Sequence, residues 1–305
     1  MTAEPTSRGR VWFEIFAQGG TVVPSGAASV LVADAPLPDA PLPDAPLPDA
    51  PLPDAPLPDA PLTGTTARVL AVVPDPHNPF PRARGGEVGL LEGWTLARHV
   101  RAAIDADTAD ETEPPGPRRP LLAIVDVTSQ AYGRREEMLG IHLACAAAAD
   151  AYAAARLAGH PVIALLVGKA MSGAFLAHGY QANRILALDA PGVVVHAMGP
   201  EAAARVTRRT VDDLHRLVEA NLPMAYDIRS YRKLGFLHAL LDGIDADAPT
   251  PAQVSRVRSA VAQAIDDARR GPRDLSNRLA SPEAMHARAA SLEVRRRLAE
   301  QWDER

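Results

Sequence analysis

Cysteine, lysine and aromatic residues are scarce in this sequence of 305 residues. Cys145 is the single cysteine, which excludes an internal disulfide and a cysteine metal cluster and is typical of a reducing compartment. The lysines are Lys169 and Lys233, and aromatic residues make up only 4% of the chain. The formal net charge of −5 excludes a strongly basic surface for nucleic acid or an anionic membrane. The chain is nevertheless long enough to bury a substantial core.

Several motifs are also absent. No phosphate-binding G-x-x-x-x-G-K-[ST] or G-x-G-x-x-G sequence follows a predicted strand, and no H-x-x-x-H pair or Cys/His cluster is present, so we expect no metal site. The first residues, "MTAEPTSRGR", carry no apolar signal segment. The longest apolar run, "PVIALLVG", stops at Lys169 and is too short to span a bilayer. We therefore expect a cytoplasmic protein that does not contact membranes.

Buried strands alternate with helices from Pro120 onward. We predict strands at "LLAIVDV" and "PVIALLVG", with a long alanine-rich helix between them, and two further strands at "RILALD" and "GVVVHAM". This alternation indicates parallel crossovers and the α/β class. The segment "RVWFEIFA" is compatible with a strand or with the end of a short helix, and beyond Thr210 we predict helices only.

A five-residue unit, "DAPLP", repeats through residues 34–62. Two prolines per unit exclude a helix or a central strand and leave an extended or disordered segment. Because the flanking segments "ASVLVA" and "ARVLAVV" both have strand character, we interpret the repeat as an expanded loop between neighbouring strands. The predicted organisation is a core of residues 1–33 and 63–242, this insertion, and a helical extension of residues 243–305.

Two successive strand–turn–helix segments carry turns of small and polar residues. The first is "IVDVTSQAYG" and the second is "LLVGKAMSGAFLAHG". Adjacent parallel strands bring such turns to one edge of a sheet, where free backbone N–H groups favour negative charge. The oxyanion-hole candidates are therefore Ser129 and Gln130 in the first turn and Ser172 and Gly173 in the second.

A nucleophilic serine is the alternative reading of the second turn. The esterase elbow G-x-S-x-G places serine between a strand and a helix, and here Ala170 and Ala174 occupy the glycine positions around Ser172. His238, with Asp227 or Asp242, would have to complete a triad, and nothing in the sequence pairs them.

The segment from "IVDVTSQAYGRREEMLGI" to "GHPVIALLVGKAMSGAFLAHGYQANRILAL" resembles the C-terminal half of biotin-dependent carboxyltransferases. With "VVPDPHNPFPRARGGEVGLLEGWTLARHV", "LDAPGVVVHAMGPEAAARVT" and "RTVDDLHRLVEANLPMAYDIRSYRKLGFLHALL", the chain is more closely similar to gamma subunits of biotin-independent malonate decarboxylases. The resemblance covers residues 11–242 apart from the repeat. It implies an α/β fold of the crotonase-like ββα superhelix type, followed by a helical C-terminal tail.

The resemblance also implies a function. Such a subunit pairs with a homologous beta subunit and acts as a lyase that decarboxylates a malonyl thioester on an acyl carrier protein to the acetyl thioester, through an enolate held in an oxyanion hole. The carrier protein bears the dephospho-CoA-derived prosthetic arm, so this chain is expected to carry no cofactor. A separate acetyl-S-ACP:malonate transferase subunit completes the cycle of malonate catabolism. A second possibility within the family is a structural partner that completes the beta subunit's site without supplying a catalytic group.

The family motifs transfer onto this sequence, and three of the departures bear on the proposed site. The Asp-Thr-Pro-Gly-Phe turn falls on residues 126–130 and the Lys-Ala-Tyr-Gly-Gly turn on residues 169–173; Ser129, Gln130 and Ser172 replace two glycines and a phenylalanine. A serine where the family glycine had positive φ would strain the backbone by roughly 1–3 kcal/mol. The residues implied to bind substrate or the prosthetic arm are Lys169, Met171, Tyr132, Gly133, Arg82 and Arg84.

Overall fold

The computed structural model describes residues 7–37, 66–109 and 117–303. The strands of this part are β1 (Thr21–Val22), β2 (Val30–Pro36), β3 (Thr66–Val72), β4 (Leu121–Val127), β5 (Val162–Met171), β6 (Arg184–Leu188), β7 (Val194–His196) and β8 (Ala239–Leu241). The helices are α1 (Arg8–Ala17), α2 (Leu90–Thr108), α3 (Arg134–Met138), α4 (Ile141–Leu157), α5 (Ser172–Ala177), α6 (Pro200–Thr207), α7 (Val211–Ala220), α8 (Ile228–Lys233), α9 (Pro251–Arg270), α10 (Asn277–Ala280), α11 (Pro282–Ala287) and α12 (Ala289–Asp303).

The strands form one mixed sheet in the order β1-β2-β3-β4-β5-β6-β8, and β7 pairs with β5 beside this path. Pairing is antiparallel from β1 to β3 and parallel from β3 to β8. β5 is ten residues long, so its first half pairs with β4 and β6 while its last residues pair with β7. The α/β prediction is confirmed.

Helices cover both faces of the sheet. α1 and α9 lie on one face, where Trp12 is fully buried and its indole nitrogen donates to the carbonyl of Ala246 at 2.9 Å. α2 and α4 pack against each other on the other face. Because both faces are covered, β4 and β5 are continuous apolar runs rather than alternating ones. None of the described helices combines the length and hydropathy needed to cross a bilayer.

The structure resolves one ambiguity and corrects one prediction. "RVWFEIFA" lies in helix α1. The prediction of helices alone beyond Thr210 is wrong, because β8 adds to the sheet beside β6. β8 has only three residues, and strand pairing within the tertiary structure overrides the weak helical pattern of so short an apolar segment.

The two strands that flank the proline repeat are neighbours, as predicted: β2 and β3 pair antiparallel from Val30 opposite Val72 to Pro36 opposite Thr66. β2 therefore extends into the first repeat unit, where Asp34 forms an ion pair with Arg68 at 2.7 Å. Pairing with β3 holds these residues extended, which the proline at the strand end permits. The rest of the predicted insertion, residues 38–62, lies outside the described residues.

The contact between α2 and α4 depends on Gly93. A Cβ atom at this position would lie 2.6 Å from the carbonyl oxygen of Ala144 and 2.7 Å from its carbonyl carbon. We expect Gly93→Ala to destabilise the protein, because an overpacking cost of about 1–3 kcal/mol exceeds a helix-propensity gain of at most about 1 kcal/mol. Urea unfolding should show a lower midpoint. Gly199→Ala is the control, since its Cβ would meet nothing closer than 3.7 Å; equal midpoints for the two variants would contradict this account.

Candidate active site

The two predicted turns meet at the carboxyl-terminal edge of the sheet. They follow the neighbouring parallel strands β4 and β5, and the backbone N–H of Gly173 donates to the side-chain oxygen of Gln130 at 2.7 Å. Gln130, Ser172 and Gly173 line a cleft of about 370 Å³ that is open to solvent. An amide oxygen thus occupies the position that the N–H of Gly173 offers to an anion.

The second turn contains a strained serine. Ser172 has φ +57°, in the left-handed region that favours glycine, so the serine at this position strains the backbone. Its hydroxyl donates to the carbonyl of Ala197, which joins the turn to the segment after β7. Because α5 begins at Ser172, the N–H of Gly173 is one of the first-turn donors that a helix leaves without an internal partner.

Asp126 anchors the backbone beneath this turn. Its carboxylate accepts from the N–H of Lys169 at 3.1 Å and from the N–H of Gly9 at 3.2 Å, so it ties β4 to β5 and α1. A side chain at residue 168 is impossible in this arrangement, since a Cβ on Gly168 would lie 2.1 Å from the Asp126 carboxylate. Asp126 therefore fixes the backbone of β5 where the second turn begins.

The first turn is held by Val88, whose N–H donates to the Ser129 carbonyl at 3.0 Å and whose carbonyl accepts from Ala131 at 2.9 Å. The Ser129 hydroxyl donates to the carbonyl of Gln130 at 2.6 Å and does not belong to the cleft lining. Ser129 thus closes its own turn, whereas Gln130 extends toward the second one.

The residues implied to bind substrate or the arm are dispersed around this edge. Tyr132 lines the cleft and is 52% exposed, while Met171 is buried at the end of β5. Lys169 is exposed on β5, and it forms no ion pair with any residue that the structure describes. Of these three residues, Tyr132 therefore lies in the cleft itself, Met171 is buried, and Lys169 is exposed to solvent outside the cleft lining.

Arg82 and Arg84 are both exposed, but only one lies beside the first turn. A Cβ on Gly133 would lie 2.7 Å from the Cδ atom of Arg82, so the arginine stem packs directly on this glycine. Arg84 instead donates to the carbonyl of Asn78 at 2.9 Å and fixes its own loop.

The proposed triad partners of Ser172 lie elsewhere. His238 lies 3.8 Å from Asp267, and Asp242 is paired with Arg256. Asp227 caps α8 by accepting from Ser230 at 2.9 Å. Among the described residues, no hydrogen bond joins Ser172 to a histidine, and no group of three His, Cys, Asp or Glu side chains could hold a metal ion. The geometry thus favours an oxyanion site over a serine nucleophile.

Comparison with known proteins shows the family of the chain. The family model for the malonate decarboxylase gamma subunit matches residues 83–302. The chain belongs to this family. It is 52% identical to a chain of a Pseudomonas malonate decarboxylase hetero-tetramer crystallised with coenzyme A, with a TM-score of 0.82 over 97% of this chain and 100% of that chain. The Pseudomonas MdcD–MdcE hetero-dimer gives 52% identity and a TM-score of 0.79 over the same shares.

The chain is also similar to two proteins at lower identity. The malonyl-S-ACP:biotin-protein carboxyltransferase MADD of Malonomonas rubra is 36% identical over 168 residues, which are 54% of this chain and 56% of that protein. The chain thus spans about half the length of this curated relative. A transcarboxylase 12S structure, 18% identical with a TM-score of 0.57 over 88% of this chain and 42% of that one, shows the shared carboxyltransferase, crotonase-like fold.

In this malonate decarboxylase family member, an aromatic wall faces the two turns, and sequence reasoning missed it. The wall consists of Phe175, Tyr180, Tyr231 and Phe236, whose ring centroids lie 5.5–6.1 Å apart in the contacting pairs. Two signals in the sequence could have revealed this wall. Aromatic residues are scarce elsewhere in the chain, and Tyr226, Tyr231 and Phe236 follow one another at a spacing of five residues.

His196 is a second residue that the sequence did not single out. It lines the cleft and stacks on Tyr226, with ring centroids 3.8 Å apart. Its Nδ1 lies 2.8 Å from the carbonyl oxygen of Met198. Burial lowers the pKa of His196, so its neutral form faces the cleft at neutral pH.

A buried hydrogen-bonded chain supports both turns of the gamma-subunit site from the core. His178, which directly follows α5, contacts the carbonyl of Ile124 on β4 through Nε2 at 2.9 Å and the hydroxyl of Tyr152 on α4 through Nδ1 at 3.0 Å. Because a carbonyl only accepts, Nε2 carries the proton and Nδ1 accepts from Tyr152. The chain links the helix that begins at Ser172 to the strand that leads to Gln130.

Proposed function

We propose that this chain is the gamma subunit of a biotin-independent malonate decarboxylase. It pairs with a beta subunit and, as a carbon–carbon lyase, converts malonyl thioester on an acyl carrier protein to acetyl thioester and CO2. A transferase subunit then exchanges acetyl for malonate on the carrier. The observation that carries the proposal is the N–H of Gly173, which points into the cleft and already binds an amide oxygen.

The chemistry requires an anion-binding site of this kind. As the bond between the carboxylate carbon and the methylene carbon breaks, its electron pair moves to the thioester oxygen, CO2 leaves, and the enolate carbon then takes up a proton. An N–H group aimed at that oxygen stabilises the charge as it develops, and one such donor contributes roughly 3–4 kcal/mol in other enzymes. In this mechanism the thioester oxygen displaces the Gln130 side-chain oxygen from Gly173.

The residues around the cleft fit a prosthetic arm derived from dephospho-CoA. The arm supplies the thiol that carries the malonyl group. Phe175, Tyr180 and Phe236 offer an apolar wall to its alkyl and amide chain. Lys169, exposed after Gly168, and Arg82, exposed beside Gly133, would meet its phosphates.

An apolar face beside the cleft supports pairing with a beta subunit. Five large apolar side chains, all more than half exposed, lie next to the first turn, on the packed helices α3, α4 and α5, or directly after α3: Tyr132, Met138, Leu139, Leu143 and Leu176. A concentration of exposed apolar residues is typical of an interaction surface. In the similar Pseudomonas hetero-dimer, MdcE is bound to MdcD.

Reconstitution tests the proposal. The chain, the beta subunit and malonyl-loaded carrier protein are combined, and release of CO2 and formation of acetyl thioester are measured with each protein omitted in turn. We expect release only when both subunits are present, with no requirement for biotin. Release by either subunit alone, or a biotin requirement, would contradict it.

Two variants of Ser172 separate the oxyanion site from a serine nucleophile. Ser172→Gly relieves the φ strain and Ser172→Ala keeps it, and both remove the hydroxyl while keeping the N–H of Gly173. We expect both variants to retain decarboxylation within about tenfold, since the hydroxyl bond to Ala197 is worth roughly 1 kcal/mol. Loss of activity in both variants, together with labelling of the unmodified chain by a serine-reactive phosphonate, would favour the nucleophile.

Gly173→Val, which fills the space at Gln130, tests the non-catalytic alternative: unchanged turnover would favour a purely structural subunit.

A further inference from the structure

An arginine from the C-terminal segment packs against the aromatic wall of the cleft. Arg278 lies on α10, in the part of the chain that we predicted as a helical extension, and it is 6% exposed. Its Cζ atom lies 5.0 Å from the ring centroid of Tyr180 and 5.1 Å from that of Phe236. Both rings line the cleft, whereas Arg278 itself does not belong to the lining. Any influence of Arg278 on the cleft therefore acts through these rings.

The guanidinium group of Arg278 also holds the backbone that carries one of the two rings. Its Nη2 nitrogen donates to the carbonyl of Tyr180 at 2.6 Å and to that of Ala182 at 2.7 Å. The rings of Tyr180 and Phe236 contact each other, with centroids 5.5 Å apart and an interplanar angle of 40°. One planar cation thus contacts two touching rings and fixes the chain beside the first of them.

The charge of Arg278 depends on these contacts. Burial lowers the pKa of Arg278 to about 10, so the group stays protonated at neutral pH. Its Nη1 nitrogen has no hydrogen-bond partner among the described residues, which leaves two carbonyls and the faces of two rings to stabilise the cation. Because a buried charge is costly without such partners, moving either ring away from Arg278 would cost free energy.

The loop that carries Phe236 is seated on the same C-terminal segment. Gly235, with φ +72°, directly precedes Phe236. A Cβ atom at residue 235 would lie 2.3 Å from the Cβ atom of Ala284 on α11 and 2.9 Å from the carbonyl oxygen of Arg278. The segment therefore contacts both the backbone before Phe236 and the ring itself, so two separate contacts place this side chain at the cleft.

We infer that Arg278 is a positioning residue for the proposed reaction: it fixes the rings of Tyr180 and Phe236 in the orientation that receives the prosthetic arm. The inference rests on the proposed function, in which this wall packs against the alkyl and amide chain of the arm. That chain takes no part in bond breaking and contacts the wall equally before and during decarboxylation. Loss of Arg278 should therefore raise KM for the malonyl-loaded carrier protein and leave kcat nearly unchanged.

The competing explanation is that Arg278 only anchors α10 to the core. Arg258 on α9 is the matched control, because it belongs to the same C-terminal segment and stacks on an aromatic ring outside the cleft lining. Its Cζ atom lies 5.9 Å from the ring centroid of Phe16, and it donates to the carbonyl of Ile15. Anchoring alone predicts that both arginines contribute to stability and that neither affects KM.

Steady-state kinetics of the reconstituted complex distinguish the two explanations. CO2 release is measured against the concentration of malonyl-loaded carrier protein. We expect Arg278→Met to raise KM about tenfold, the value of roughly one buried cation–π contact, and to keep kcat within about twofold, while Arg258→Met leaves KM unchanged. An unchanged KM in Arg278→Met, or an equal rise in both variants, would overturn the inference. An unmodified complex that releases no CO2 would instead overturn the proposed function.

A double-mutant cycle tests whether Arg278 acts through the wall. Phe236→Leu removes one of the two rings, so the factor by which Arg278→Met raises KM should be at least about threefold smaller in that background. Equal factors in the two backgrounds would contradict the inference. Arg278→Lys serves if the methionine variant does not fold, because lysine keeps the charge but lacks the planar guanidinium. Its KM should still rise, and a KM equal to that of the unmodified complex would overturn the proposal.

Discussion

Replacement of Gln130 by glutamate is expected to lower kcat/KM for decarboxylation at least about 100-fold, the loss that follows removal of one oxyanion donor. The side-chain oxygen of Gln130 already accepts from the N–H of Gly173 at 2.7 Å. A carboxylate in the same place would accept this bond more strongly, because charge-assisted hydrogen bonds are about twice as strong as neutral ones. It would remain in the oxyanion position and would also repel the malonyl carboxylate.

Gln130→Met is the matched control for this prediction. Methionine has a similar length but cannot accept a strong hydrogen bond, so it should leave the N–H of Gly173 free for the thioester oxygen. We expect this variant to retain activity within about tenfold, because only packing at the cleft wall changes. Both variants should co-purify with the beta subunit, and steady-state CO2 release measures the effect. Equal losses in the two variants would show that the N–H of Gly173 does not bind the enolate.

The meeting of the two turns could be predicted because it follows from chain order. β4 and β5 are consecutive strands joined by a helix, and parallel pairing places their carboxyl ends side by side. The sequence therefore located Gln130 and Gly173 at one edge. It could not show that the Gln130 amide reaches the N–H of Gly173, nor that Ser129 turns back on its own loop, since both depend on side-chain rotamers set by tertiary contacts.

The rest of the cleft escaped prediction because residues far apart in the chain build it. Tyr231 and Phe236 reach the cleft from beyond β7, through a region where we predicted only helices. The strand β8, through which this region pairs with β6, has only three residues and is too short to show a hydrophobic periodicity. His196 likewise became visible as a cleft residue only through its stacking on Tyr226.

The stability of the protein should fall sharply below pH 6.5 because His178 is buried as a neutral ring. Burial lowers its pKa from 6.5 to about 4. Between these values the unfolded chain binds a proton that the folded chain excludes, so the contribution of His178 is complete above pH 6.5 and decreases as pH falls toward 4. At 1.36 kcal/mol per pKa unit, the full loss is about 3 kcal/mol and roughly 2 kcal/mol has been lost by pH 5.

The measurement is urea unfolding at pH 7.5 and pH 5, followed by the fluorescence of the buried Trp12. The exposed Trp94 and Trp302 are changed to phenylalanine in every variant so that they do not contribute to the signal. His178→Asn removes the titrating group, and His142→Asn, an exposed histidine on α4, is the control.

We expect His178→Asn to be less stable at pH 7.5, because the hydroxyl of Tyr152 and the carbonyl of Ile124 lose their partner at about 1–3 kcal/mol. The same variant should lose less stability between pH 7.5 and pH 5 than the unmodified chain does. His142→Asn should change neither quantity.

Burial also lowers the pKa of His99, His160 and His238, so the unmodified chain has further groups that act in the same direction. A pH dependence in His178→Asn as steep as in the control would show that those histidines, and not His178, govern acid unfolding.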